Sequence, residues 1–284
     1  MTDDKDMPGI YEQLKEKFIM ENAWDDWRDY RKKLTDLVNS YAGDSLLVVG
    51  AGSLNDIDIE SLIFQKITLL DVNGEAMRAG IERLPEHVIR HIQTREVSIT
   101  GIMESDISRF CEDVLAYVQM KGASLSAEAF NECLNDGLDK LEQICLGSEN
   151  ILESLFPDSM YDVILCNGVC SQLFSLISFF IRSITHSVAD ALFPEAIVIG
   201  ERAEQRLKRM NDHVIPIIDQ AIVRGARKSA IFGNEYPEEG YVEGAYQSIG
   251  FIRENYKPIE KNILWNFNPY MNIQYNMLIQ IIKR

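Results

Sequence analysis

Two apolar runs, each closed by a polar turn, organise the first third of the chain. Leu46-Leu47-Val48-Val49 runs into Gly50-Ala51-Gly52-Ser53-Leu54-Asn55-Asp56, and Ile67-Thr68-Leu69-Leu70 ends on Asp71. A short apolar run bounded by turn residues reads as a buried strand. Strands are therefore predicted over 45–50 and 67–71, with a helix over about 58–64 between them. Upstream, Trp27, Tyr30, Leu34, Leu37 and Tyr41 recur at spacings of three and four, so 8–41 reads as helix closed by Gly43-Asp44. Downstream, a helix begins near Gly74 and stops before Pro85, and a third strand lies within 88–100, before Thr100-Gly101.

Residues 104–156 carry two helical stripes, Ile107, Phe110, Val114, Val118 and Phe130, Leu134, Leu138, Leu141, with a turn at Lys121-Gly122-Ala123-Ser124. This helical pair reads either as packing on the sheet or as a cap over a pocket. Tyr161-Asp162-Val163-Ile164-Leu165-Cys166-Asn167-Gly168 is a fourth strand entering a polar turn, followed by an apolar helix over 171–190. Ala196-Ile197-Val198-Ile199-Gly200 is the expected fifth strand, with a helix to about Arg224, a loop over 233–241 and a helix from Tyr241 to Asn255. Residues 262–267 and 273–282 read as a closing strand pair around Asn268-Pro269.

Strands alternating with helices imply a doubly wound, mostly parallel α/β sheet covered on both faces, with one antiparallel strand at or near its edge. Ligands of such sheets bind beyond the carboxyl ends of the strands, at the switch point. That rule gathers Gly50 to Asn55, Asp71, Thr100-Gly101 and Cys166-Asn167-Gly168 on one rim. The boundaries drawn are an N-terminal helical cap over 1–42 and an α/β domain over 43–284 carrying the insertion.

The formal net charge of −16 argues against a phosphate backbone as partner; the basic clusters at 202–209 and 224–228 read as solvated helix faces or ends. Met1-Thr2-Asp3-Asp4-Lys5-Asp6 is the opposite of a secretory leader, and Arg182, His186 and Asp190 interrupt the most apolar stretch, 173–193. A cytoplasmic protein without membrane or nucleic-acid contacts is the expectation. Five cysteines make no disulfide framework, and Cys166 and Cys170 have no second pair to complete a metal site, so no metal is expected.

Two spaced glycines after a strand and an acid after the next strand are half a nucleotide site. A dinucleotide turn has glycine where this chain has Asn55, which weakens a nicotinamide-enzyme reading without excluding it. The chain resembles the class I S-adenosylmethionine-dependent methyltransferases over most of 44–284: in Val49-Gly50-Ala51-Gly52, in Asp71, in the Tyr161-to-Gly168 strand and in the antiparallel finish. The resemblance implies a Rossmann-like, seven-stranded fold with S-adenosylmethionine as cofactor. It implies that Gly50, Ala51 and Gly52 lie against the methionine part, that Asp71, with Val72 beside it, takes the ribose hydroxyls, and that Ser98 to Ile102, with Thr100 and Gly101, border the adenine. Cys166, Asn167 and Gly168 would face the methyl group and acceptor. The family turn has its third glycine where Leu54 stands and an acid where Val48 stands; Asp56 is the candidate replacement acid near the cofactor's amino group.

The expected acceptor is a small molecule or peptide, with oxygen slightly favoured. None of His87, His91, His186 or His213 is assigned a catalytic role, and the Asn/Asp-Pro-Pro-aromatic motif of nucleobase enzymes is absent after Asn167. Trp24, Trp27, Tyr236, Tyr241, Tyr246, Trp265, Phe267 and Tyr270 are candidates for an acceptor pocket, with residues 1–41 and the helical pair enclosing it. A methyltransferase-like binding protein without catalysis is the alternative. The oligomeric state is left open.

Overall fold

The computed structural model describes residues 13, 20–41, 43–237 and 240–284. Most of the first half of the helix expected over 8–41 lies outside them. Its second half divides into α1 (Ala23–Asp26) and α2 (Arg28–Asn39). β1 (Ser45–Val49) and β2 (Lys66–Asp71) follow, then α3 (Gly74–Ile81), α4 (Glu86–Ile89) and β3 (Ile92–Glu96). The insertion forms α5 (Glu104–Lys121), α6 (Ala127–Leu146) and α7 (Ser148–Leu155). The remainder is β4 (Tyr161–Asn167), α8 (Ser175–Ala191), α9 (Ala196–Gly225), β5 (Ala226–Glu235), α10 (Ala245–Tyr256), β6 (Ile259–Asn268) and β7 (Ile273–Lys283).

The seven strands form one sheet in the order β3-β2-β1-β4-β5-β7-β6. β1 to β5 run parallel, and β7 is antiparallel to both β5 and β6. The chain leaves β1 toward β2 and β3 on one side and returns to β4 and β5 on the other, so the switch point lies between β1 and β4. Residues two apart share a face of the sheet. Leu46 and Val48, Val163 and Leu165, Ile231, and Ile279 and Ile281 use this to pack one face against Tyr30, Leu34 and Val38 of α2.

Two expectations fail. Residues 196–200 begin the long helix α9, and the fifth strand is 226–235. A five-residue apolar run does not separate a buried strand from a buried helix start by periodicity alone. Gly200 marks the difference, since a Cβ there would meet Thr185 Cγ2 at 2.6 Å, a close approach of one helix to another. The basic residues Arg227 and Lys228 belong to the true strand and bind Asp162 at the start of β4. The second failure is the helix expected over 58–64, where the chain makes only a 3₁₀ turn, Ile59–Ser61.

The chain divides into two compact units. One holds the sheet and comprises Glu21–Gly101, Gly147–Leu173 and Asn211–Arg284. The other contains Ile102–Leu146 and Phe174–Met210 and is helical. In the helical unit, Phe110 meets Phe180 edge-on at 5.7 Å and Arg206 binds both Asp139 and Glu142. No helix among the described residues is long and apolar enough to cross a membrane.

Candidate functional site

The site is built at the carboxyl ends of β1 to β5. After β1 the backbone turns sharply: Gly50 has φ +70°, Gly52 +46° and Leu54 +58°. Gly50 and Ala51 donate main-chain hydrogen bonds to Leu70 O, at 2.8 and 3.1 Å. A Cβ on Gly50 would meet Val169 Cγ2 at 2.3 Å, so only glycine fits. At Gly52 no atom comes within 4 Å of the Cβ position, so this side of the turn is open. Position 54, where the family turn has its third glycine, is left-handed but is a leucine. The conformation costs about 1 kcal/mol, whereas burying the side chain, here 1% exposed, contributes roughly 2 kcal/mol. Burial wins.

Asp71 holds the turn from β2. Its Oδ2 accepts Gly52 N–H at 2.8 Å and its Oδ1 accepts Asn73 N–H at 2.8 Å, while Asn73 caps α3 through Ala76 N–H. Val72, half-buried, continues the bend beyond Asp71. Val97 N–H donates to Asp71 O at 2.9 Å, which brings the segment after β3 alongside. There Ser98 and Thr100 are buried with their hydroxyls 3.0 Å apart, and Gly101 turns at φ +81°.

The turn is braced by side chains rather than by a following helix. Arg31, on α2, donates to Asn55 O at 2.9 Å and Trp24 O at 2.7 Å. Arg83 donates to Ser53 O and to Asn55 Oδ1. Both guanidinium groups lie over the Trp24 ring, at 3.6 and 4.8 Å.

Asn167, at the end of β4, is the centre of a buried relay. Tyr30 Oη donates to Asn167 Oδ1 at 2.7 Å, and Asn167 Nδ2 donates to Asp56 Oδ2 at 2.6 Å. Gly233 makes this possible, because a Cβ there would stand 2.0 Å from Asn167 Oδ1. Burial pushes the Asp56 carboxyl up to about 6, against the hydrogen bond from Asn167 that lowers it. Burial, and then the charge of Asp56, also raise the Tyr30 phenol. Gly168, at φ +64°, donates to Gly233 O at 2.8 Å and closes the β4 end. Cys166 points to the opposite face from Asn167, as strand alternation requires, so its side chain does not join the relay.

Glu235 completes the rim at the end of β5. It is 5% exposed; its Oε1 accepts the Ser171 hydroxyl at 2.9 Å, and its Oε2 has no hydrogen-bond partner. Burial raises its carboxyl above the ordinary range. Glu235 shares the sheet face of Gly233 and Asn167, and its charge is felt at Tyr30 and Tyr275. On that face Trp265 stacks on Tyr30 at 4.8 Å, and Phe267 meets Trp265 at 5.0 Å and Tyr275 at 5.2 Å. Trp27 joins them, its Nε1 donating to Phe267 O at 2.8 Å.

Among the residues expected to form the site, Gly50, Ala51, Gly52, Asp71, Thr100, Gly101, Asn167 and Gly168 lie along this rim. Trp27, Trp265 and Phe267 meet on its aromatic side, while Tyr236, Tyr241 and Tyr246 form a separate group with centroids 5.4 and 4.8 Å apart. Tyr270 is 76% exposed. Sequence reasoning missed the site roles of Glu235, Tyr30 and Arg31. Glu235 was hidden by the loop expected over 233–241. No group of three or more His, Cys, Asp or Glu among the described residues is placed to hold a metal ion.

A sheet in this order, with its seventh strand reversed between the fifth and sixth, is a Rossmann-like fold of the methyltransferase type. Solved structures similar to this chain include a SAM-dependent methyltransferase from Aquifex aeolicus, 9% identical, with 96% of this chain and 98% of that one covered and a TM-score of 0.45. The N-methyltransferase NodS from Bradyrhizobium japonicum WM9, in complex with S-adenosyl-L-homocysteine, is 14% identical over 96% and 97% of the two chains, with a TM-score of 0.44. A Pyrococcus horikoshii protein assigned as an RNA methyltransferase is 8% identical over 96% of each chain, with a TM-score of 0.44. No family model matches the chain, and no curated protein matches its sequence.

Proposed function

We propose that this protein is an S-adenosylmethionine-dependent methyltransferase whose acceptor is a small molecule or peptide. The observation that carries the reading is the turn at Gly50 to Leu54, open at Gly52 and fastened by Asp71 at the end of the neighbouring strand. The residues present fit the cofactor. Gly52 leaves room for close approach, the Asp71 carboxylate stands at the end of the neighbouring strand where it would accept the ribose hydroxyls, and the Ser98–Gly101 segment beside it would border the adenine. Asp56 is suited to the cofactor's ammonium group. Bound there, the cofactor would supply an electrophilic methyl group on a sulfonium.

The 3₁₀ turn at Ile59–Ser61 favours this reading over a nicotinamide enzyme. A dinucleotide rests its pyrophosphate on the N-terminus of the helix after β1. This chain provides no such helix, and its turn is braced by Arg31 and Arg83. A cofactor without phosphates does not need that cradle.

The enclosing part is assigned to α2, which brings Tyr30 to the relay and excludes water from the Asn167 side chain. Exclusion of water and fixed orientation are what an in-line displacement gains from. The test is transfer of a labelled methyl group from S-adenosylmethionine to components of a cell extract containing small molecules, peptides and RNA, with Asp71→Ala as control. Label appearing in a discrete small product with the natural chain alone supports the reading. Label entering only RNA would move the acceptor to nucleic acid, and an absence of transfer despite cofactor binding would favour the binding-protein alternative.

A further inference from the structure

Glu235 is a buried carboxylate without a counter-charge. It is 5% exposed, one oxygen is engaged by a neutral hydroxyl and the other has no partner. No cation among the described residues forms an ion pair with it. Unpaired buried charges are costly and are ordinarily matched by an opposite charge or a metal ion. The other acid of the rim, Asp56, differs in this respect: its Oδ2 accepts from the Asn167 amide at 2.6 Å, and neither of its oxygens is both buried and without a partner.

Glu235 also has particular neighbours. Its register partner on β7 is Met277, and Tyr275, two residues before, lies on the same face. Trp265 and Phe267 of β6 extend that face, and Tyr30 stacks on Trp265. A desolvated carboxylate beside aromatic rings is the chemistry that holds an organic ammonium, through a charge-assisted hydrogen bond to the acid and attraction to the ring faces. An anionic ligand would face a second negative charge in a site of low dielectric.

We propose that the acceptor pocket takes an organic ammonium group, with Glu235 as its counter-charge and the Tyr30–Trp265–Phe267–Tyr275 aromatics as its wall. This rests on the reading of the rim as a methyltransferase site and specifies the substrate class. It says what the acceptor molecule carries and not which atom is methylated: an ammonium nitrogen has no lone pair for the displacement, so the group held by Glu235 anchors the acceptor and becomes a nucleophile only after losing a proton. Asp56, one strand away from β4 on the side of the glycine turn, is left to the cofactor's own ammonium.

The test is a binding comparison of phenethylammonium, 2-phenylethanol and 3-phenylpropionate. These probes share an aromatic end and differ in charge. Binding is followed by tryptophan fluorescence and calorimetry at about pH 8, above the ordinary carboxylate range. The ammonium is expected to bind about tenfold or more tightly than the alcohol, with the anion weakest. Glu235→Gln, which is nearly isosteric, should abolish the preference for the ammonium while S-adenosylhomocysteine affinity stays within about twofold. The inference is overturned if the alcohol or the anion binds as well as the ammonium, or if the ammonium shows no saturable binding. It is also overturned if Glu235→Gln lowers S-adenosylhomocysteine affinity instead, which would make Glu235 a cofactor ligand. The comparison on the unaltered protein decides the matter even if the variant folds poorly. Failure of S-adenosylhomocysteine to bind the unaltered protein would instead remove the methyltransferase reading beneath it.

Discussion

Asp71 works in two directions at once. Toward the protein it fastens Gly52 and Asn73; in the proposed site the same carboxylate would accept the ribose hydroxyls. Replacing it with alanine should weaken S-adenosylhomocysteine binding by about 2 kcal/mol, or roughly thirtyfold, the scale of charge-assisted hydrogen bonds. Calorimetry on a variant shown by thermal melting to be folded checks this, and unchanged affinity would leave Asp71 a purely structural residue. Asp56 gives a pH signature. Its carboxyl is raised to about 6, so cofactor binding that needs its charge should strengthen as pH rises through about 6. Affinity measured from about pH 5 to 8 should lose that step in Asp56→Asn; a step that persists would assign it to another group. Gly50, Gly52 and Asp71 were legible in the sequence because each closes an apolar run. The Tyr30–Asn167–Asp56 relay was not, since its members are separated by 137 and 111 residues and meet only through the packing of α2 on the sheet.

The elements succeed or fail as predictions according to how much periodicity each one carries. β1, β2 and β4 are apolar runs between turn residues and were readable, as were the stripes of α5 and α6. β5 was not, because its first residues are basic and its apolar centre is only Ala230-Ile231-Phe232. The charges that disguised it anchor the amino end of the sheet. Asp162, 0% exposed, accepts from Asp44 N–H at 2.6 Å, Ser45 N–H at 3.3 Å and Arg227 Nε at 2.7 Å. Burial alone would raise this carboxyl, but Arg227 and the two amides together hold it below its ordinary value. A depressed carboxyl contributes stability above the unfolded pKa and loses it as pH falls through the folded one. Asp162→Ala should therefore destabilise the fold by about 3 kcal/mol near neutral pH, with the deficit shrinking below about pH 4. Denaturant melts at several pH values test this; an equal deficit at all pH values would mean that the loss is one of packing.

For the molecule as a whole, the fold class was written in the alternation of elements, whereas its balance of buried charge was not. A net charge of −16 says little about where acids are buried. Asp219 lies fully buried on α9, neither of its oxygens has a hydrogen-bond partner, and burial pushes its carboxyl up to about 7. Ser248 stands near enough to lower it slightly, without reaching hydrogen-bond geometry. The sign here is opposite to that of Asp162: a raised carboxyl contributes stability below its unfolded pKa and loses it as pH rises toward about 7. Asp219→Asn should thus be more stable than the unaltered protein at pH 8, by on the order of 2 kcal/mol, and no more stable at about pH 4. Thermal melts across that range would contradict the account if the variant were the less stable at pH 8.

The claim that everything else depends on is the identity of the ligand at the Gly50–Gly52 turn. Titration calorimetry of the unaltered protein with S-adenosylhomocysteine and with NAD, side by side, tests it most directly. The open turn, the acid at Asp71 and the lack of a helix N-terminus after β1 predict saturable, one-to-one binding of S-adenosylhomocysteine and none of NAD. Binding of NAD alone would contradict the account.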